Sequence, residues 1–149
     1  LFSRRGFNID SLAVGVTEDP SISRMTIVVD GDEYLLEQIE KQLNKVIPVI
    51  KVKTMKAGEY ISRTLSLIKV AVTAEKRADI MRVTELMGAR IVDVTKTTIT
   101  IEFTDTAERT ETLETLLRPY GIREMVRTGI IAIEKGADPT RKINNNGKY

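Results

Sequence analysis

Gly6-Phe7-Asn8-Ile9-Asp10-Ser11-Leu12 and Gly88-Ala89-Arg90-Ile91-Val92-Asp93-Val94 share one pattern, a glycine followed three and six positions later by apolar residues. Each copy leads into a β-branched strand, an amphipathic helix and a further strand. Downstream, the stretch that begins Thr26-Ile27 parallels the stretch that begins Thr100-Ile101. Patterns that recur in the same order predict two structural units built on one plan.

The order of the predicted elements indicates the fold class. From Leu65 onward the chain reads strand, helix, strand, strand, helix, strand, and this order is typical of ferredoxin-like domains. We therefore predict an α+β chain of two tandem ferredoxin-like (βαββαβ) domains. The predicted parts are a first domain at 1–54, a linker at 55–63, a second domain at 64–135 and a mobile tail at 136–149. Within them we expect the last strand of the first domain at 49–53 and a short edge strand at 130–133.

The first unit lacks its beginning. A strand and a helix precede Gly88 in the second unit, whereas only residues 1–5 precede Gly6. We therefore expect the first domain to be without its first strand and most of its first helix, and about 20 further residues ahead of Leu1 in the complete protein. Because the first strand of this sheet is central, its absence leaves two strands without a neighbour.

The composition argues against catalysis and nucleic-acid binding. The chain has no His and no Cys, which removes the usual general base near neutral pH, thiolate nucleophiles and the commonest metal ligands. Its carboxylates lie singly along the strands, without the paired spacing of acid–base or hard-metal sites. Because 23 Lys and Arg face 21 Asp and Glu, no broad basic surface is available for a phosphate backbone. No apolar run reaches the roughly 20 residues of a membrane span, so we expect a soluble protein with no membrane partner, cytoplasmic by default or else a processed organellar one.

Asn8 is the candidate ligand contact. One interpretation is structural, with Gly6 ending a helix and Asn8 a residue of the following turn. The other is functional, because a carboxamide has donors and an acceptor that suit the carboxylate or ammonium group of an amino acid. The second wall of such a site, a helix N-terminus after the first strand, would belong to the segment ahead of Leu1.

Six stretches of the chain resemble a known family. They are similar to the small subunit of acetohydroxyacid (acetolactate) synthase, and the resemblance spans nearly all of residues 1–136. The stretches, which occur in the same order in that family, are 1–12, 23–27, 36–43, 67–70, 88–94 and 126–130.

The resemblance implies a non-catalytic regulatory subunit whose first domain is an ACT domain. The family implies that this domain pairs with its twin, binds valine at the interface, and transmits feedback inhibition to a catalytic large subunit that it also activates. By position, Asn8 and Ile9 correspond to valine contacts, and Val14 would face the same interface. Thiamine diphosphate, Mg²⁺ and FAD are expected in the large subunit, which condenses two 2-oxo acids with loss of carbon dioxide, and no cofactor is expected in this chain.

Three alternatives remain. A generic ACT sensor would bind another amino acid and control another biosynthetic enzyme with a similar fold and dimer. A two-domain RNA binder would need exposed aromatics on a basic sheet face. The chain has only three Phe and four Tyr, which argues against this alternative. A stand-alone enzyme is the least favoured, because the chain lacks His, Cys and any carboxylate pair.

Overall fold

The architecture is α+β, in two parts along the chain. A computed structural model describes residues 8–46 and 48–140. The strands are β1 (Ile9–Val16), β2 (Ser23–Val29), β3 (Tyr60–Ala71), β4 (Arg90–Val94), β5 (Thr98–Asp105), β6 (Ile122–Arg127) and β7 (Ile131–Glu134), and the helices are α1 (Glu33–Asn44), α2 (Arg77–Met87) and α3 (Ala107–Leu117). The predicted end of a helix at Gly6 lies outside the described residues, as does most of the predicted tail.

The second domain confirms the predicted ferredoxin-like fold. Its strands lie in the order β4-β5-β3-β6, and every neighbouring pair is antiparallel. Alternate residues of β3 and β5 are buried together with apolar residues of α2 and α3, as the period-two pattern of a half-covered sheet requires. The core consists of Ile68, Val70, Val72, Ile80, Ile99, Ile101, Phe103, Leu113 and Leu117.

A left-handed glycine and a side-chain cap define the ends of two helices in this domain. α2 ends at Gly88, whose φ of 74° is left-handed, a conformation that glycine adopts without steric cost. α3 begins after Thr106, whose hydroxyl accepts a hydrogen bond from the Arg109 N–H at 3.2 Å.

Burial of Asp105 by itself raises the pKa of its carboxyl group. Hydrogen bonds from the Thr106 N–H and the Arg109 guanidinium outweigh that effect, so the pKa lies below the ordinary value of 3.8.

The described part of the first domain is a hairpin and a helix. β1 and β2 pair antiparallel. The Asp32 carboxylate accepts a hydrogen bond from the Leu35 N–H at 2.9 Å and so caps α1. The amphipathic pattern of α1 then buries Ile39, which is 6% exposed.

A bulge confirms the internal repeat and corrects its alignment. The register of β1 shifts between Ile9 and Ser11, and the register of β4 shifts between Ile91 and Asp93, the same positions of the two repeats. After the bulge, Leu12 pairs with Ile27 and the corresponding Val94 pairs with Ile99. The predicted match of Thr26-Ile27 with Thr100-Ile101 was therefore wrong by two residues. The stretch Thr98-Ile99-Thr100-Ile101 repeats every two residues, so the sequence alone did not specify its register.

The strand predicted at 49–53 is absent, because these residues form no ladder with any described strand. The corresponding strand of the second domain, β6, pairs with β3, the first strand of its unit. No described residue of the first domain provides such a first strand, so the backbone groups of 49–53 have no ladder to join. The β-branched composition of 49–53 is therefore not sufficient to form a strand when no neighbouring strand is available.

β3 begins earlier than predicted. Its residues Tyr60–Arg63 lie in the segment expected as a linker and pair antiparallel with β7. β7 confirms the short edge strand predicted at 130–133, shifted by one residue. Together the two strands form a ribbon that extends from the second sheet toward the hairpin of the first domain.

Candidate functional site

Asn8 lies on the surface, one residue before β1 begins. Its carboxamide makes no hydrogen bond to any other residue that the structure describes. An exposed carboxamide with its donors and acceptor unused by the described residues is available to a ligand. This geometry is compatible with the predicted contact to an amino acid.

The bulge places Ile9 and Val14 on the same face of the hairpin. Residues five apart in a regular strand lie on opposite faces. Here Ile9 pairs with Val29 and Val14 pairs with Met25, and these two partners, four apart on β2, share one face. The side chains of Ile9 and Val14 therefore share a face, although they are separated by about 13 Å, the length of four residues along β2 between their partners. A single small amino acid is too short to contact both within one protomer.

This apolar face is partly uncovered in the described chain. We call the apolar face the set Ile9, Leu12, Val14, Val16, Met25, Ile27 and Val29. Ile9 is 39% exposed and Val14 is 61% exposed. By the repeat, the face corresponds to the side of the second sheet where Ile91 and Ile101 pack against the helices. Its exposure therefore does not by itself identify a binding surface, and Asn8 is the more informative of the predicted residues.

The opposite side of the hairpin contacts the second domain. The Ser11 hydroxyl accepts a hydrogen bond from the Ile130 N–H at 2.7 Å. The Arg24 guanidinium donates to the Ala132 carbonyl at 2.8 Å. The backbone of Gly129 lies against the peptide bond that follows Leu12. Sequence reasoning missed this contact, because Arg127-Thr128-Gly129 has the composition of an ordinary turn.

The described residues provide no evident centre for metal chemistry. In residues 8–46 and 48–140, no group of three or more His, Cys, Asp and Glu side chains could hold a metal ion. A shallow charged groove lies between the linker and the end of β7 and is lined by Lys53, Glu59, Glu134, Lys135 and Asp138, among others. In the same part of the chain, no helix is long and apolar enough to cross a membrane.

Two family models match consecutive parts of the chain. The model described as the AHAS small subunit-like ACT domain matches residues 1–51. The model described as the small subunit of acetolactate synthase matches residues 63–136. Residues 52–62 lie between the two matches and include the first residues of β3.

Curated relatives and a solved structure agree with these matches. The chain is 50% identical to the acetolactate synthase small subunit of Mycolicibacterium smegmatis over 136 residues, which are 91% of this chain and 80% of the relative. It is 39% identical to the acetolactate synthase isozyme 3 small subunit of Salmonella typhimurium, over 91% of this chain and 84% of the relative. The crystal structure of the acetolactate synthase small subunit from Thermotoga maritima superposes with a TM-score of 0.84 at 37% identity, covering 92% of this chain and 86% of that one. The chain therefore belongs to the acetolactate synthase small-subunit family.

Proposed function

We propose that this chain is a regulatory subunit that activates a catalytic acetolactate synthase large subunit and makes it sensitive to feedback inhibition by valine. The observation that carries the proposal is the match of both domains, in order, to small-subunit families. The thiamine diphosphate, Mg²⁺ and FAD of the reaction belong to the large subunit in this proposal. The cytoplasmic location stays a prediction from the sequence.

The valine site is proposed around Asn8. Its carboxamide is exposed at the start of β1 and is not used by other described residues. It can donate to a carboxylate or accept from an ammonium group, and a hydrogen bond to a charged group contributes about 1.5–3 kcal/mol. Ile9, the next residue, offers an apolar side chain to the aliphatic part of valine. Both groups lie at the start of one strand, so a second wall from another segment or protomer is required.

Pairing of two protomers through the first domain is part of the same proposal. Because Ile9 and Val14 of one protomer are too far apart for one valine to contact both, Val14 is assigned to the protomer interface. A dimer would also supply the wall that the described part of one protomer lacks.

The regulatory step is a shift between two arrangements of the dimer. Valine can inhibit only by the difference in its affinity for the more and the less activating arrangement. Such coupling is typically about 1–3 kcal/mol, equivalent to about 5- to 150-fold. Inhibition should therefore be partial and should leave a basal rate.

The test measures acetolactate formation by the cognate large subunit, with and without the full-length chain, while valine is titrated. We expect the chain to raise the rate and valine to reverse the increase. Asn8→Ala should raise the valine concentration for half inhibition by about tenfold or more, since it removes a hydrogen bond to a charged group. Asn44→Ala, the same change at an exposed residue that ends α1, is the control.

The outcomes separate the candidate functions. Stimulation that valine leaves unchanged would keep the activating role and remove valine as the ligand. No effect on the large subunit under any condition would favour a generic ACT sensor with another target. An Asn8→Ala chain with wild-type sensitivity to valine would remove Asn8 from the site.

A further inference from the structure

We propose that residues 128–134, the connecting segment, transmit changes in the β1–β2 hairpin to the central strand of the second domain. The nature of the signal, an amino acid bound near Asn8, rests on the proposed function. The link itself rests on contacts between the two domains. These contacts join residues more than 100 positions apart, of which Ser11 and Ile130 are separated by 119.

Gly129 brings the two backbones together. A Cβ on this residue would overlap the Leu12 carbonyl oxygen and would lie 3.0 Å from the Ala13 nitrogen. Its φ is not in the positive range, so glycine is needed here for space and not for backbone conformation. The neighbour is a peptide group inside a paired strand, which cannot move aside as a flexible side chain can. Any other residue would push the connecting segment away from β1.

Two hydrogen bonds hold the segment on both strands of the hairpin. The Ile130 N–H donates to Ser11 on β1, at 2.7 Å. Two residues on, the Ala132 carbonyl accepts from the Arg24 guanidinium on β2, at 2.8 Å. The second bond is charge-assisted, which makes it stronger than a bond between neutral groups. The segment therefore follows the hairpin as a unit and not one strand alone.

Thr128 connects the segment to β3, the strand at the centre of the second sheet. Its N–H donates to the Leu65 carbonyl at 2.9 Å, and its hydroxyl oxygen accepts from the Leu65 N–H at 3.0 Å. Its carbonyl accepts from the Thr64 hydroxyl at 2.8 Å, and Thr64 is only 4% exposed. Because three bonds attach Thr128 to β3, a displacement of Gly129 must act on β3 or break them.

The far end of the segment is held firmly to β3 but only weakly to the first domain. β7 pairs with Tyr60–Arg63, which makes the segment continuous with β3 at a second place. The Lys53 ammonium pairs with the Glu134 carboxylate, but both side chains are partly exposed, and such pairs contribute little. The strongest coupling is therefore expected at 128–132.

The proposed ligand contact, Asn8, lies close to the place where the connecting segment touches β1. Asn8 lies three residues before Ser11, which is at most about 10 Å of extended chain. The bulge between Ile9 and Ser11 separates them, and bulges are places where a strand bends. A ligand that changes this bend would move the peptide bond against which Gly129 packs. The two domains would then respond together to one event.

The first experiment needs no ligand. Hydrogen exchange is measured on the full-length chain as wild type, Gly129→Ala, and the control Gly15→Ala, where no described atom lies within 4 Å of an added Cβ. We expect Gly129→Ala to speed exchange of the Ile130 amide and of β1 at least about fivefold, with α3 unchanged, because the two domains separate locally. Unchanged exchange at Ile130 and β1 in Gly129→Ala would overturn the proposed link.

The second experiment adds valine, with binding followed by calorimetry. In the wild type we expect valine to slow exchange in the hairpin, in 128–134 and at Thr64–Ser66. In Gly129→Ala valine should still bind, protection should stay within the hairpin, and half inhibition of the holoenzyme should need at least about fivefold more valine. Valine that binds the wild type without protecting 128–134 would overturn the proposal. Failure of valine to bind the wild type would refute the valine site instead, and the ligand-free exchange would still decide the link.

Discussion

Replacing Ser66 with alanine should stabilise the second domain. Ser66 lies on β3 with no exposed surface, opposite Phe103 on one neighbouring strand and Arg127 on the other. Its hydroxyl has no hydrogen-bond partner among the residues that the structure describes. A buried hydroxyl without a partner costs roughly 1–3 kcal/mol relative to its state in water. Ser66→Ala removes that oxygen and changes little else.

The expected change in the free energy of unfolding for Ser66→Ala is the difference between two opposing effects. Loss of the oxygen leaves a void of roughly 15 Å³, which costs about 0.4 kcal/mol at ~24 cal/mol per Å³. Set against the roughly 1–3 kcal/mol of the orphan hydroxyl, the net gain in the free energy of unfolding is about 1 kcal/mol. For a domain of this size, about 1 kcal/mol raises Tm by roughly 4–8 °C.

Thr110→Val is the matched control. Thr110 is equally buried, but its hydroxyl donates to the Thr106 carbonyl at 2.8 Å. Valine keeps the shape of the side chain and removes a satisfied hydroxyl, so we expect a loss of about 0.5–1.5 kcal/mol. Opposite signs for the two variants would show that hydrogen bonding, and not the mere presence of a polar atom, determines the effect.

The assay is urea unfolding of the full-length chain followed by circular dichroism. A change in stability shifts the midpoint and leaves the m-value constant. Ser66→Ala that lowers the free energy of unfolding by about 1 kcal/mol or more, at constant m, would refute the reasoning. It would mean that the Ser66 hydroxyl is satisfied in the folded protein, for example by a buried water.

Two further predictions concern helix termini. Because the folded-state pKa of Asp105 is lowered, its carboxylate stabilises the fold above its ordinary pKa of 3.8, and this contribution is lost as pH falls through the folded-state value. Asp105→Asn should therefore lower the free energy of unfolding by about 1 kcal/mol at neutral pH, and the difference from the wild type should become smaller in acid. Urea unfolding at pH near 7 and near 3 measures both values. A difference between wild type and variant that does not depend on pH would contradict this prediction. Asp32→Ala should weaken the start of α1 by about 1 kcal/mol, seen as faster exchange of the Leu35 amide, whereas Asp32→Asn keeps an acceptor and most of the stability. An Asn variant no better than Ala would exclude the cap.

The fold was predictable where the signal is local. The glycine before each repeat strand and the apolar residues after it indicated two units of one plan, and Gly88 has the left-handed conformation that such a glycine provides. The bulges after Ile9 and Ile91 had no signal of their own, because a bulge adds one residue to a strand without changing its composition. That one residue nevertheless determines that Ile9 and Val14 share a face.

The candidate site was predictable only in part, because a site depends on more than one segment. Asn8 is recognised from its chemistry and from its place at the start of a strand. The face on which Ile9 and Val14 lie depends on the pairing with Val29 and Met25, which the sequence pattern did not specify. The strand predicted at 49–53 failed for the same reason, because a strand forms only where a neighbouring strand accepts its hydrogen bonds.

Gly129 shows why the link between the domains was not visible in the sequence. Beside Arg127 and Thr128 it has the composition of a turn, and turn glycines are usually explained by a positive φ. Its φ is not in that range, and the group that requires glycine is the Leu12 carbonyl, more than 100 residues away. The requirement is tertiary, so only a structure reveals it. A glycine without a positive φ that packs on a distant strand is thus better evidence for a domain contact than for a turn, and substitution at Gly129 tests that contact directly.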